Sequence, residues 1–317
     1  MFFAADRAGL KYRDYATNGR ALAQAQLLMR ERFGVEAITA CSDAFRLPAD
    51  LGGEMLYPDD RTPSLAKPMV TSESDLERLS HPDPTHTGSR MNDRLVAVRE
   101  MARAARDRCF IVGWVEMPFA EACNLCGVQN FMVAMFEQPT FVHRVLEFVT
   151  DLEIAFGRAQ LEAGADMIGA GDAAASMLSP KQFAEFAAPY ERRVVEEIHA
   201  AGGLIKLHIC GNTSKLLDLM AGVGADLYNI DHMVDLAAAK RVFGTKNRCF
   251  KGNLDPVEDL MRSTPERCEA KSHECIRIGG PNGYMLSAGC EIPAATPDAV
   301  MHAFCRAPQT FGVQRSG

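Results

Sequence analysis

The sequence predicts an α/β fold, a (β/α)8 TIM barrel, on three observations. Short β-prone runs alternate with longer helical patterns, the signature of βαβ units and a parallel sheet. The 317 residues are 47% hydrophobic and 24% charged, an ordinary globular balance with enough length for a large core. No Ser/Gly-rich linker, low-complexity tract or internal repeat divides the chain. Barrels of this class run to ~250 residues or more as one domain, so a single barrel domain over 1–317 is expected.

Seven strands are read at 35–43, 109–117, 166–172, 204–210, 226–231, 248–253 and 284–290. An eighth is read at Met1-Phe2-Phe3, as the end of a strand whose start is missing, which implies a short or trimmed amino terminus. Eight strands close a barrel; seven alone would also suit an open, doubly wound sheet. Helices are predicted at 180–200, 213–221, 235–243, 256–278 and 297–311. Ser179-Pro180, Asp255-Pro256 and Thr296-Pro297 each set a capping residue before a proline suited to the first helical turn. The stretch 47–70, rich in Gly, Pro and Asp, reads as an inserted hairpin or loop over one mouth.

Charge and apolar patterning exclude several functions. The net charge of −7, with no long basic run, argues against a nucleic-acid partner. The most apolar long window, 113–136, is broken by Glu116, Pro118 and Glu121, which a membrane span would not carry without need. The opening MFFAADRAGLKYR lacks the apolar stretch and cleavage site of a signal peptide, so a soluble, cytoplasmic protein is expected. In that setting ten cysteines are reduced thiols, buried small hydrophobes or metal ligands, not a disulfide frame.

In α/β barrels the working side chains sit at the C-terminal ends of strands. Here those ends carry Asp43, Glu116, Asp172, His208 and Cys210, Asp231 and His232, Asn253 and Asp255, then Cys290 and Glu291. Residues i and i+2 of a strand point to one face, so His208 and Cys210 converge, and Cys290 ends another strand on the same barrel face. One imidazole and two thiolates form a zinc-type donor set with a fourth position open. A buried histidine with two buried cysteines is the plain alternative. Cys123-x-x-Cys126 has no second pair at zinc-ribbon spacing, and His273 and Cys275 fall on a helix where packing suffices. Gly169-Ala170-Gly171 lacks the acidic partner of a dinucleotide loop.

Several segments together resemble the uroporphyrinogen decarboxylase superfamily along nearly the whole chain. They are Cys41-Ser42-Asp43 followed by Gly52-Gly53; Gly164-Ala165-Asp166 with Asp172; Leu178-Ser179-Pro180-Lys181-Gln182-Phe183; Ala188-Pro189-Tyr190; Lys251-Gly252-Asn253-Leu254-Asp255-Pro256; and Gly289-Cys290-Glu291-Ile292-Pro293 with Thr296-Pro297. The resemblance implies a (β/α)8 barrel. The Arg-rich amino-terminal signature of the decarboxylases has no counterpart in 1–13, and Cys290 stands where they carry a histidine. His208, Cys210 and Cys290 are instead similar to the zinc site of the superfamily's cobamide-dependent methyltransferases.

That branch implies Zn2+ on those three residues and a methyl group passed between a corrinoid protein and a small zinc-activated substrate. Thiols, tetrahydrofolate, methyl ethers and methylamines are all open. No Asp-x-His-x-x-Gly corrinoid signature occurs, so methylcobalamin would arrive on a transient partner protein. Glu116 is the candidate fourth ligand or proton acceptor, with Glu121 behind it; Asp172 would orient the substrate or His208, and His232 would line the pocket. Asp43 matches the aspartate that organises the tetrapyrrole in the decarboxylases, which keeps a metal-free decarboxylase as the alternative. A non-catalytic barrel of the same family is the third reading.

Overall fold

The computed structural model describes residues 1–312; the remaining positions of the domain expected over 1–317 lie outside the described residues. Among the described residues nine strands form two sheets. The main sheet contains β1 (Ala37–Thr39), β4 (Phe110–Glu116), β5 (Met167–Gly171), β6 (Leu204–His208), β7 (Leu227–Asn229), β8 (Cys249–Leu254) and β9 (Tyr284–Ala288). All neighbours in it are parallel and follow chain order. β2 (Met55–Leu56) and β3 (Ser64–Leu65) pair antiparallel as the hairpin expected within 47–70. The seven strands read from the sequence are thus the seven strands of the sheet.

The eighth is not a strand. Phe2–Arg7 is a helix that buries Phe3, Ala4 and Ala5. Three apolar residues carry no period of their own, and the alanines that follow favour a helix. The Phe2 ring stacks on Tyr12 at 3.9 Å, and Phe3 meets Phe33 at 5.4 Å. Among the described residues no pairing joins β9 to β1. The sheet still curls into a barrel, because Ile38 of β1, Ala40 just after it, and Leu254 and Ala288 from β8 and β9 share one apolar cluster with the amino-terminal helices.

The predicted helices appear with local changes. Over 180–200, Ser179 caps the start and a π-turn, Phe183–Ala187, precedes Ala188–Ala200. Pro189 has no N–H to give the preceding turn, which widens there. The stretch 256–278 divides into a π-turn, Pro256–Met261, and the helix Pro265–Gly279, restarted where Thr264 caps Arg267. The helix expected over 213–221 is Leu217–Val223. Among the described residues no helix is long and apolar enough to cross a membrane.

A second, larger apolar cluster packs the outer face of the sheet against the remaining helices. The inner face differs. Register places Glu116, Gly171, His208, Asn229, Lys251 and Met285 in one row across the bore, with Trp114, Gly169, Lys206, Leu227 and Cys249 in the row beneath. Gly169 leaves room for the indole: a Cβ there would lie 2.6 Å from Trp114 Cε3. The bore is therefore polar, and the apolar packing that stabilises the fold lies outside it.

Candidate metal centre

His208 ends β6 and Cys210 follows it on the same face, so the strand's own pleat brings imidazole and thiol together. Cys210 Sγ lies 3.1 Å from His208 Nε2 and 3.6 Å from Cys290 Sγ, which comes from the turn after β9. The three donor atoms all lie within 4.8 Å of one another, and no other such group of His, Cys, Asp or Glu occurs among the described residues. Around a tetrahedral zinc, bond lengths of about 2.3 Å to sulfur and 2.0 Å to nitrogen put ligand atoms about 3.5–3.8 Å apart. The two sulfurs already stand at that spacing, and the nitrogen needs a small outward shift.

Two features set the geometry. Gly289 lets the loop after β7 press against the Cys290 turn: a Cβ there would sit 2.4 Å from the His232 backbone nitrogen. Asn229, on β7 between the strands that carry these donors, places its backbone carbonyl and its side-chain Nδ2 each 3.1 Å from His208 Nδ1, and Nδ2 also donates to the Gly289 carbonyl (3.1 Å). When Nδ1–H gives to that carbonyl, Nε2 keeps its lone pair for a cation.

The electrostatics suit a cation. Hydrogen bonds from Cys210 and His208 hold the Cys290 thiol down to about 4. Cys210 is pushed up, first by its bond to Cys290 and then by burial. One proton is thus held between two half-buried sulfurs, where a soft dication would satisfy both. The donor set fits zinc by element type, spacing and the hydrogen-bonded imidazole behind it.

Glu116 lies in the same row as His208, separated by Gly171, whose added Cβ would stand 3.1 Å from Glu116 Oε2. It is outside the donor group. Its Oε1 accepts from Arg46 Nη2 (2.9 Å) and Trp114 Nε1 (3.0 Å), and burial raises its pKa. Glu121 is fully buried beside Asn124, its pKa raised well up by burial and then by Glu153. Asp172 is fully buried against Glu191 and pushed up to about 7 by burial. Of the two roles expected of Asp172, orienting the substrate or His208, the contact with His208 is made by Asn229, and the Asp172 carboxyl lies by Glu191.

Asp43 is a buried anion with its bonds already made. Its carboxylate takes Arg90 Nη2 (2.7 Å), Ser42 Oγ (2.7 Å) and the Phe45 N–H (3.0 Å), and its pKa is lowered despite burial, with Arg90 the leading favourable cause. Most other polar strand ends fasten loops. Asp231 accepts from the Gly211 and Met233 N–H groups, Asn253 donates to the Asp231 and Val234 carbonyls, Asp255 caps Val257 and Glu258, and Glu291 accepts from the Phe2 N–H. His232 stands at the rim between Asp231 (3.0 Å) and Asp255 (3.5 Å). Cys123 and Cys126 are buried in the core, and His273 bonds the Ala307 carbonyl and Thr310.

Sequence reasoning missed several residues at the site: Asn229, Arg46, Glu153, Glu191, and the lysines Lys206 and Lys251. Strand parity could have found Lys206, which shares the face of His208 and Cys210. Burial pushes Lys206 down to about 8 and Lys251 down to about 7, the latter also through repulsion from Lys206.

The sequence profile of the uroporphyrinogen decarboxylase (URO-D) family matches residues 2–311. A uroporphyrinogen decarboxylase of Myxococcus xanthus is 28% identical over 304 residues, 94% of this chain and 85% of its own. The methylcobamide:CoM methyltransferase MtbA of Methanosarcina mazei is 30% identical over 239 residues, 75% of this chain and 68% of its own. A solved methyltransferase from Methanosarcina mazei superposes with a TM-score of 0.89 at 25% identity, covering 98% of this chain and 90% of that one. The chain belongs to the uroporphyrinogen decarboxylase family, and methylcobamide-dependent methyltransferases are among its relatives.

Proposed function

We propose that this barrel, taken as one domain over 1–317, is a zinc-dependent cytoplasmic methyltransferase that moves a methyl group between a corrinoid protein and a small molecule. The observation that carries this reading is the His208, Cys210 and Cys290 donor group at the barrel mouth. Bound there, zinc supplies Lewis acidity toward the heteroatom that gives or takes the methyl group.

The chain's own residues do the rest. Asn229 holds the ring of His208, and Gly289 sets the reach of Cys290. Glu116, one register position from Gly171, is the carboxylate suited to take a substrate proton or to occupy a fourth position until substrate arrives. Asp172 stays as a buried support behind β5. The corrinoid protein would dock transiently over the mouth, bringing methylcobalamin to the donor group. Thiol, tetrahydrofolate, methyl ether and methylamine substrates all meet these requirements.

A metal-free decarboxylase using Asp43 is the second reading, favoured by the decarboxylases among the relatives. The saturation of Asp43 by Arg90, Ser42 and Phe45 weighs against it, since a substrate would have to displace bonds already made. Metal analysis of protein purified without added metal tests the proposal, together with methyl transfer from methylcobalamin to thiols. One zinc per chain, lost in His208→Ala and Cys290→Ala along with transfer, is expected. A wild type that takes up no zinc on incubation would overturn it.

A further inference from the structure

Lys206 and Lys251 have no role in the chemistry above. Both face the bore and are half-buried: Lys206 precedes His208 by two residues on β6, and Lys251 lies on β8 in the row of His208 and Asn229. They stand two strands apart in successive rows, about 9.6 Å across the sheet and about 6.6 Å along it between their backbones. Among the described residues neither amine has a hydrogen-bond or ion-pair partner, and neither is sealed from solvent. Their surroundings differ. Lys206 lies over the Trp114 ring, 4.6 Å from its centroid, a face that holds an ammonium. Among the described residues Lys251 meets no such ring.

The carboxylates near them are engaged elsewhere, Glu116 with Arg46 and Trp114, Asp43 with Arg90. Of the pair, Lys251 is therefore the one that gives up its proton. Burial, and then repulsion from Lys206, hold its amine down to about 7, so near neutrality much of it is uncharged. A desolvated amine beside another cation is an activated nucleophile. The same cation selects the electrophile. An aldehyde would leave an imine, whose protonated form is a second cation against Lys206. Carbon dioxide leaves an anion, which turns the repulsion between the two side chains into an ion pair.

We propose that Lys251 is a modification site for carbon dioxide, held as a carbamate on Nζ and paired with the Lys206 ammonium. The Nζ lone pair forms a bond to the carbon, one C=O π pair moves onto oxygen, and one N–H proton passes to water. Nothing is oxidised or reduced: a neutral amine and neutral carbon dioxide give a carbamate anion and a proton. The bore then carries one cation and one anion in place of two cations. The site requires no metal and stands apart from the methyl-transfer reading.

The test incubates the full chain, without added metal, in isotopically labelled bicarbonate near neutral pH. Carbamates are then trapped with triethyloxonium ion and located by peptide mapping. A carbon NMR signal for one carbamate per chain is expected, saturable with dissolved carbon dioxide, together with an ethoxycarbonyl group on Lys251. Occupancy should fall at least tenfold in Lys206→Met, which lacks the counter-ion, vanish in Lys251→Arg, and persist in the surface variant Lys67→Met. Mapping of the wild type needs no variant to fold. Because only the folded chain has the site, bicarbonate should also raise the unfolding midpoint of the wild type over chloride at equal ionic strength, and not that of Lys251→Arg. No trapped group on Lys251, label only on the amino terminus or on surface lysines, or occupancy unchanged in Lys206→Met overturns the proposal. Bicarbonate held as a free ion would stabilise the fold without leaving a trapped group, and that outcome overturns it too. Zinc uptake is read separately, so its failure leaves this site standing.

Discussion

Asn229 holds His208 by its backbone carbonyl, 3.1 Å from Nδ1, while its side chain reaches the Gly289 carbonyl at the same distance. One residue outside the donor group therefore ties two donor-bearing segments that lie far apart in the chain. Asn229→Ala keeps the carbonyl and removes the tether to Gly289. Zinc affinity, measured by chelator competition, should fall about 10- to 100-fold with the fold retained. Unchanged affinity would show that the tether does not position Cys290.

Gly289→Ala acts on the same turn from the other side. The new Cβ would lie 2.4 Å from the His232 nitrogen and 3.1 Å from the Asp231 carbonyl carbon, both backbone atoms that cannot swing away. The turn must shift, costing about 1–3 kcal/mol and displacing Cys290. Gly211→Ala is the control: it has space, with Ser176 no nearer than 3.6 Å, but a φ of +85°. That variant should lose about 1–2 kcal/mol through backbone strain. Urea denaturation of both variants, with zinc titration, separates displacement of a ligand from loss of stability.

Arg46 is buried among acids. It bonds Glu116 at 2.9 Å and donates to the Asp43 carbonyl, with Phe156 beneath it at 6.0 Å. Arg46→Met leaves the buried Glu116 carboxylate without its cation, while Asp43 keeps Arg90, and should cost about 3–5 kcal/mol. Adding Glu116→Gln to that variant should recover part of the loss. A double variant no more stable than the single would contradict this account of the cluster.

Glu153 gives the pH dependence a sign. Burial pushes its carboxyl up to about 8 from an ordinary 4.5, and one of its oxygens has no partner. Between those values the folded chain keeps a proton that the unfolded chain has released. The stability contributed by the neutral acid is complete below the lower value and is lost as pH rises through the upper one. Relative to Glu153→Gln, the wild type should lose stability with rising pH across that window, by at most about 1.4 kcal/mol per pH unit. Chemical denaturation at a series of pH values reads the difference; a slope of opposite sign would refute the assignment.

The strands were legible because a buried parallel strand is a short apolar run, and 109–117, 166–172 and 204–210 are such runs. The meeting of the three donors was legible for a different reason: His208 and Cys210 sit at i and i+2, and Cys290 ends a strand that must reach the same rim. Met1-Phe2-Phe3 misled because three apolar residues fit either period, and tertiary contacts with Tyr12 and Phe33 decide for helix. Asn229 was hidden because half of its work is done by a backbone carbonyl, which every residue carries. Glu153 and Glu191 lie on helices whose other charged residues face water, so their burial follows from packing that no local pattern announces.

The Cys290 turn also bears on how the molecule is made. It follows β9, the unpaired edge of the sheet, and is held by contacts from the opposite end of the chain: Phe2 to Glu291 at 2.8 Å and Arg7 to Asp298 at 2.6 Å. During synthesis His208 and Cys210 leave the ribosome together, and Cys290 emerges only 80 residues after Cys210. A nascent chain offers two donors until its last strand has docked against the first helix. A metal captured by all three residues would therefore report that the last strand of the sheet has docked against the helix Phe2–Arg7.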